Sequence, residues 1–296
     1  MARKTTSVSI IGAGVVGRAV GRVLRERGYE ILAVASRSSA SVQEAVGFIG
    51  GGRAARSLSA AAKSADIVLM TTSDGAVRKA CEQIASQKGF KRGSTVLHFS
   101  GALASSELAA AHERKAFVGS LHPMQSFPSA EEAVKRFRGT VFTFEGDREA
   151  EAVASKLVED LDGRMISMTA SAKALYHAAC CVLSNYTVSV VDFGLALLEL
   201  SGFSRKDAQK AVMPLLKGTI KNLEDLGSPA ALTGPVARGD GETIERHLEA
   251  LAPLPRDIRR LYCELGLYTL RVAQRKGKLD SGDGRHLWHL LTRVVR

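Results

Sequence analysis

A chain of 296 residues is long enough for one large or two ordinary domains, each with its own core. With 45% hydrophobic and 24% charged residues it has globular usage, which excludes extended disorder. The net charge of +11 suits an anionic partner, but aromatics of only 5% and the lack of a nucleic-acid-binding motif argue against nucleic acid.

The first apolar run, residues 7–11, is rich in β-branched side chains and ends at Gly12-Ala13-Gly14. It is short, broken by glycine and followed by no small-residue cleavage site, so it reads as a strand and turn, not a signal peptide. A helix follows, with Val16, Val20, Val23 and Leu24 on one face and Gly28 at its end. Residues 30–35 form a second strand, and a short third is expected near 53–57. Residues 66–70 give a fourth strand with helix 75–88 after it, and 94–99 a fifth with helix 105–113. Residues 116–121 give a sixth, and 140–145 a seventh with helix 148–161. This alternation implies an α/β fold with a doubly wound, mostly parallel sheet.

After about residue 168 the strand signal stops. Residues 170–200, 204–225, 241–251, 254–276 and 283–295 read as helices separated by glycine and proline. The expected organisation is a Rossmann domain over residues 1–166 and an all-helical C-terminal domain over 167–296. The most apolar stretch, 178–200, contains Asn185, Asp192 and Glu199. An ionised Asp192 is costly in a bilayer, so the stretch reads as a buried core helix, and no membrane contact is expected. Cys81, Cys180, Cys181 and Cys263 form no CxxC pair and no zinc-like spacing with histidine. No metal site is expected, and so few cysteines suit a reducing, cytoplasmic setting.

Gly12-Ala13-Gly14-Val15-Val16-Gly17 is a GxGxxG turn that follows a strand and opens a helix. Gly12 permits the tight turn, Gly14 lets backbone approach a pyrophosphate, and Gly17 lets helix and strand pack closely. The phosphates would face free N–H groups at the positive end of the helix. The end of the second strand selects the cofactor. An NAD site offers a carboxylate there, whereas this chain offers Ser36-Arg37-Ser38. A guanidinium pairs with a 2′-phosphate and the hydroxyls add donors, so NADP is the expected cofactor. Thr72 and Ser73, after the fourth strand, either contact that cofactor or, in the case of Ser73, cap the next helix.

Ser100-Gly101 and His122-Pro123-Met124 fall at the carboxyl ends of the fifth and sixth strands, on the same edge as the glycine turn. His122 there either serves a substrate or satisfies a loop carbonyl. Lys173 and His177 lie four apart and share a helix face, with Asn185 two turns beyond. A lysine with a lowered pKa would suit proton transfer, although helix periodicity alone leaves Lys173 at a solvated helix start. In the connector 232–240, Arg238 could clamp a substrate carboxylate, while Asp240 suits a helix N-cap. His247 reads as a surface or packing residue.

The glycine turn, Ser36-Arg37, Phe99-Ser100-Gly101, Ser120-Leu121-His122-Pro123, Lys173-Ala174-Leu175-Tyr176-His177, Leu232-Thr233-Gly234-Pro235 and Arg238-Gly239-Asp240 together resemble one family. It is the Rossmann-like oxidoreductases whose helical second half is a domain of unknown function, within the 6-phosphogluconate dehydrogenase-like and ketopantoate reductase-like superfamily. The resemblance implies NADP binding, a homodimer formed through the helical domains, and catalysis by Lys173 with His177 standing where relatives place an asparagine. It implies reduction of a small 2-oxo acid, ketopantoate being the first candidate; from the residues themselves, Arg238, Ser100 or Asn185 would hold its carboxylate, with Gly101 beside them. Two other expectations stand beside it. His122-Pro123-Met124 also resembles a motif of prephenate dehydrogenases, and a non-catalytic NADP-binding sensor or scaffold would share the fold.

Overall fold

The computed structural model describes residues 5–295. They form two compact units, residues 5–190 and 191–295, that divide inside one long helix. The change from strands to helices comes earlier, just after residue 167.

The first unit opens with strand β1 (Ser7–Ile11), helix α1 (Val15–Glu26), β2 (Glu30–Ala35), α2 (Ser39–Ile49), β3 (Arg53–Ala54), α3 (Leu58–Ala62), β4 (Ile67–Met70) and α4 (Asp74–Ser86). It continues with β5 (Thr95–His98), a 3-10 turn at Ser105–Leu108, α5 (Ala109–Glu113), β6 (Phe117–Pro123), α6 (Ala130–Arg136), β7 (Val141–Gly146), α7 (Arg148–Asp160) and β8 (Arg164–Ser167). The sheet order is β3-β2-β1-β4-β5-β6-β7-β8. All neighbours run parallel except β6 and β7. The doubly wound, mostly parallel sheet expected from the sequence is therefore the one observed.

Alternation along the central strands explains their unbroken apolar runs. Ile67 and Leu69 enter the core layer under α1, α2, α6 and α7, while Val68 and Met70 enter the layer under α3, α4 and α5. Both faces are covered, so polar side chains have few places on these strands. Four elements of this unit were not legible in the sequence: α2, α3, α6 and β8. The helices α3 and α6 are only five and seven residues long, too short to display a period. The strand β8, at the sheet edge, has exposed side chains at three of its four positions, so it lacks an apolar run.

The chain then enters α8 (Lys173–Cys181), a wider π-helical turn at Val182–Tyr186, and α9 (Thr187–Leu200). The expectation of a buried core helix is corrected here. Only 6% of the most apolar window of Ala170–Leu200 is buried, although the segment is long and apolar enough to cross a membrane. Leu175 and Leu183 are 78% and 75% exposed. The reason is the face that packs: α8 commits Lys173, Tyr176 and His177 to the sheet edge, and the other sides have no neighbours within the unit.

The second unit continues with α10 (Arg205–Leu226), α11 (Pro235–Arg238), α12 (Gly241–Leu251), α13 (Arg256–Lys276) and α14 (Ser281–Val295). It is helical throughout, with a small core built on Ile244, Cys263, Leu270 and Leu287. Asp240 caps α12 as expected, accepting from Thr243 N at 3.0 Å. His247 packs on Tyr262, its Nδ1 2.7 Å from the hydroxyl.

Candidate active site

The strands β1, β4, β5 and β6 are consecutive and parallel, so their carboxyl ends share one edge. The sheet order reverses between β1 and β4, and ligands of doubly wound sheets lie at such a switch point. A groove of about 490 Å³ occupies this position.

Gly12 and Gly14 line the groove. Gly12 has φ +119°, and a Cβ on it would stand 2.6 Å from the Thr71 carbonyl carbon. Around Gly14 the nearest such atom is 4.0 Å away, which leaves the backbone open to a ligand. A Cβ on Gly17 would lie 2.3 Å from Thr71 Oγ1 and 2.5 Å from Gly12 O. The three glycines therefore hold the turn, the approach and the packing that their spacing predicted. The start of α1 has no side-chain cap and no acidic residue in its first turn, so its N–H groups are unclaimed by side chains. Val15 and Val16 turn their side chains toward the core and offer only backbone. Ala13 lines the groove while its carbonyl accepts from Arg18 Nε at 2.8 Å.

Ser36 and Arg37 line the groove at the end of β2, and Arg37 is exposed. Ser38 does not line it. Its hydroxyl caps α2, accepting from Ser41 N at 3.3 Å. Ser73 begins α4 without using its hydroxyl as a cap and remains on the groove wall. Thr72 Oγ1 is buried there with no hydrogen-bond partner. An orphaned hydroxyl beside open glycine backbone is the kind of group that a bound ligand satisfies. Lys79, on α4, also lines the groove. Sequence reading missed it, because a lysine on an exposed helix face carries no signal until β2 and α4 are seen to border one groove. A pyrophosphate at Gly14 and a 2′-phosphate between Arg37 and Lys79 fit these donors, and no carboxylate lines the groove.

Two strands farther along the same edge lies a second cluster. His122 is within β6, one residue before its end. Its Nδ1 is 2.8 Å from the Tyr176 hydroxyl, and its ring centroid is 6.0 Å from that of His177. Both imidazoles close over Gly101: a Cβ there would stand 2.8 Å from His122 Nε2 and 2.5 Å from His177 Cδ2. The packing thus requires glycine at 101. His177 Nδ1 lies 3.9 Å from Cys181 Sγ. Lys173, Tyr176 and His177, at i, i+3 and i+4, form one face of α8. Tyr176 stood in the sequence motif without a role, and its spacing from Lys173 was the signal available.

Lys173 does not stand at a solvated helix start. It is 1% exposed, and its Nζ donates to Ser120 Oγ at 2.6 Å and to the Ser100 carbonyl at 3.3 Å. Burial lowers its pKa from the usual lysine range, against the opposing pull of Glu145 and Asp74. Ser100 Oγ accepts from the N–H groups of Ala102 and Leu103 at 3.2 and 3.1 Å. Its accepting side therefore shapes the turn, while its own O–H is spent on neither bond. Beneath it, His98 Nδ1 accepts from Ser100 N at 3.2 Å, so its Nε2 carries the proton and donates to Ala104 O at 3.0 Å. Asn185 is exposed in the π-helical turn, its carbonyl accepting from Ser189 Oγ at 3.4 Å. Arg238, in the second unit, is largely exposed and lies 3.7 Å from Asp240 Oδ2. Among the described residues no group of three or more His, Cys, Asp and Glu is placed to hold a metal ion.

Burial, the facing Lys173 and His177, and a smaller contribution from His98 push the His122 pKa down to about 4, against a raising effect of Asp74. Burial pushes the Tyr176 hydroxyl up to about 12. At neutral pH both are uncharged, and His122 is a hydrogen-bond donor or acceptor, not a cation. Between its ordinary value of about 6.5 and about 4, the unfolded chain binds more protons at this residue than the folded one. Stability is then expected to fall as pH drops through that window, by about 2–3 kcal/mol from this group. Urea unfolding at pH 7 and pH 4.5 measures it, and His122→Asn should lose less on acidification than the unaltered chain.

Residues 1–123 match the model of a Rossmann-like domain, and residues 140–269 match that of a domain of unknown function, DUF2520. The chain thus carries a Rossmann-like domain followed by this second domain. No curated protein matches it. Among solved structures, a Bacteroides fragilis protein named as a candidate NADP oxidoreductase is similar over 90% of this chain and 98% of its own, at 23% identity and a TM-score of 0.74. The Thermotoga maritima protein TM1727 is similar over 91% and 99%, at 23% identity and 0.72. The Aspergillus terreus reductive aminase, in complex with NADPH and ethyl-5-oxohexanoate, is similar over 99% and 94%, at 18% identity and 0.59. These likenesses establish the fold.

Proposed function

We propose that the protein is an NADP-dependent oxidoreductase that reduces the carbonyl of a small 2-oxo acid, with ketopantoate the first compound to test. The observation that carries this reading is the pair of imidazoles over Gly101, on the sheet edge that also holds a groove lined by Arg37 and Lys79. The names of the B. fragilis and A. terreus proteins support the choice of cofactor. The net charge of +11 favours an anionic substrate.

NADPH, when bound, supplies the hydride. The chain's residues do the rest. Gly12 and Gly14 leave room for the pyrophosphate, Thr72 offers its free hydroxyl, and Arg37 with Lys79 pairs with the 2′-phosphate. With the Tyr176 hydroxyl donating to Nδ1, His122 presents Nε2–H above Gly101. A neutral imidazole in that position polarises a carbonyl and gives its Nε2 proton to the oxyanion that forms as hydride arrives, while Nδ1 takes the Tyr176 proton and the tyrosine regains one from water. His177 closes the other side and excludes water.

The test is NADPH absorbance over a panel of oxo acids and imines. Turnover of ketopantoate is expected, with kcat falling at least tenfold in His122→Asn at unchanged NADPH affinity. Reduction of NADP+ driven by prephenate would instead favour a dehydrogenase, and tight NADPH binding without turnover would favour a sensor or scaffold.

We also propose that two copies pair through the long helix in a soluble, cytoplasmic homodimer. The face carrying Lys173 and His177 is committed to the sheet edge, while Leu175, Leu183 and Val188 are exposed together on one chain. Four free cysteines fit a reducing setting. Sedimentation should give a dimer, and Leu183→Glu with Val188→Glu should give a monomer.

A further inference from the structure

We propose that Lys173 is a positioning residue: its buried amino group ties β6 to the loop after β5 and so sets the His122–Tyr176 pair, without giving its own proton to the substrate. The inference rests on the reductase reading above and concerns the same site.

The geometry carries it. Lys173 Nζ reaches Ser120 Oγ and the Ser100 carbonyl, and Ser120 Oγ itself donates to that carbonyl at 3.2 Å. Three atoms from α8, β6 and the β5 loop thus close one buried triangle. Ser120 precedes His122 by two residues on β6, and Tyr176 follows Lys173 by one helical turn. Fixing Ser120 against Lys173 therefore fixes His122 against Tyr176. At 1% exposure Lys173 is closed off from solvent, whereas His122 and His177 are only half-buried.

Position is joined by charge. The groups that act on His122 are Lys173, His177 and Tyr176 from α8, His98 from β5 and Asp74 from α4. Among these Lys173 is the strongest cationic influence, and it favours the neutral imidazole.

The test uses the full chain with ¹³C-labelled histidine. In Lys173→Met, the His122 titration should move up by about one pH unit, because a facing cation is gone. kcat should fall at least tenfold with NADPH affinity unchanged, and the alkaline limb of the kcat profile should persist. An unmoved His122 titration, or disappearance of the alkaline limb, would overturn the proposal, because the second result is the mark of a lysine acid. Should Lys173→Met not fold, Ser120→Ala decides. It cuts one anchor and leaves the charge, so kcat should again fall about tenfold while the His122 titration does not rise. Unchanged kcat in Ser120→Ala would refute the positioning role. Turnover by the unaltered protein reports separately on the reductase reading, since the histidine titrations need no substrate.

Discussion

Gly12→Ala is expected to weaken NADPH binding by more than 100-fold and to lower stability by about 2–4 kcal/mol. Two physical causes act together. At φ +119° an L side chain is strained whatever the space around it. The new Cβ would also stand within 2.7 Å of the Thr71 carbonyl and the Thr72 nitrogen, which are backbone atoms of the neighbouring strand's end. They can retreat only by opening the β1–β4 pair, and that is the switch point of the sheet. Gly28→Ala is the control. Gly28 also has a positive φ, +90°, but open space around it. That variant should lose about 1 kcal/mol of stability and no NADPH affinity. Calorimetric titration and thermal unfolding of the two proteins separate the clash from the strain.

The double variant Arg37→Ala, Lys79→Ala is expected to lose about 100-fold or more in NADPH affinity and little in NADH affinity. Each side chain offers a charge-assisted bond to a 2′-phosphate, worth about 1.5–3 kcal/mol, and neither has a role toward a cofactor that lacks it. Arg37 is exposed and Lys79 lies on an exposed face of α4, so stability should hardly change. Equal losses for both cofactors would mean that the two cations serve the pyrophosphate or no ligand at all.

The glycine turn was legible because each glycine answers a local demand. Two have Cβ positions already filled by backbone or a neighbouring side chain, and one has open backbone. That Arg37 borders the groove was legible from its place after β2. Lys79, Ser120 and Tyr176 were not: Lys79 shares its groove with residues far along the chain, and the partners of Ser120 and Tyr176 lie 53 and 54 residues away, brought near only by the strand order. Lys173 was found for its residue type and its pairing with His177, and it is buried with a lowered pKa. Periodicity assigns a lysine among apolar neighbours to solvent, whereas a serine hydroxyl and a carbonyl waiting at the sheet edge allow it to be buried. Ser38 and Ser100 carry a local duty that the sequence did not announce. Both stand where a ligand contact is plausible, and both hydroxyls are used by local backbone N–H groups. The exposed long helix was misread because hydrophobicity reports that a segment will be covered, not that its own chain covers it.

The central claim joins the groove to the two imidazoles, and histidine NMR during an NADPH titration tests that junction directly. The account predicts saturable, one-to-one binding that shifts the His122 and His177 signals together while those of His247 and His289 stay in place. Binding that leaves His122 and His177 unmoved, or no binding at all, would contradict it.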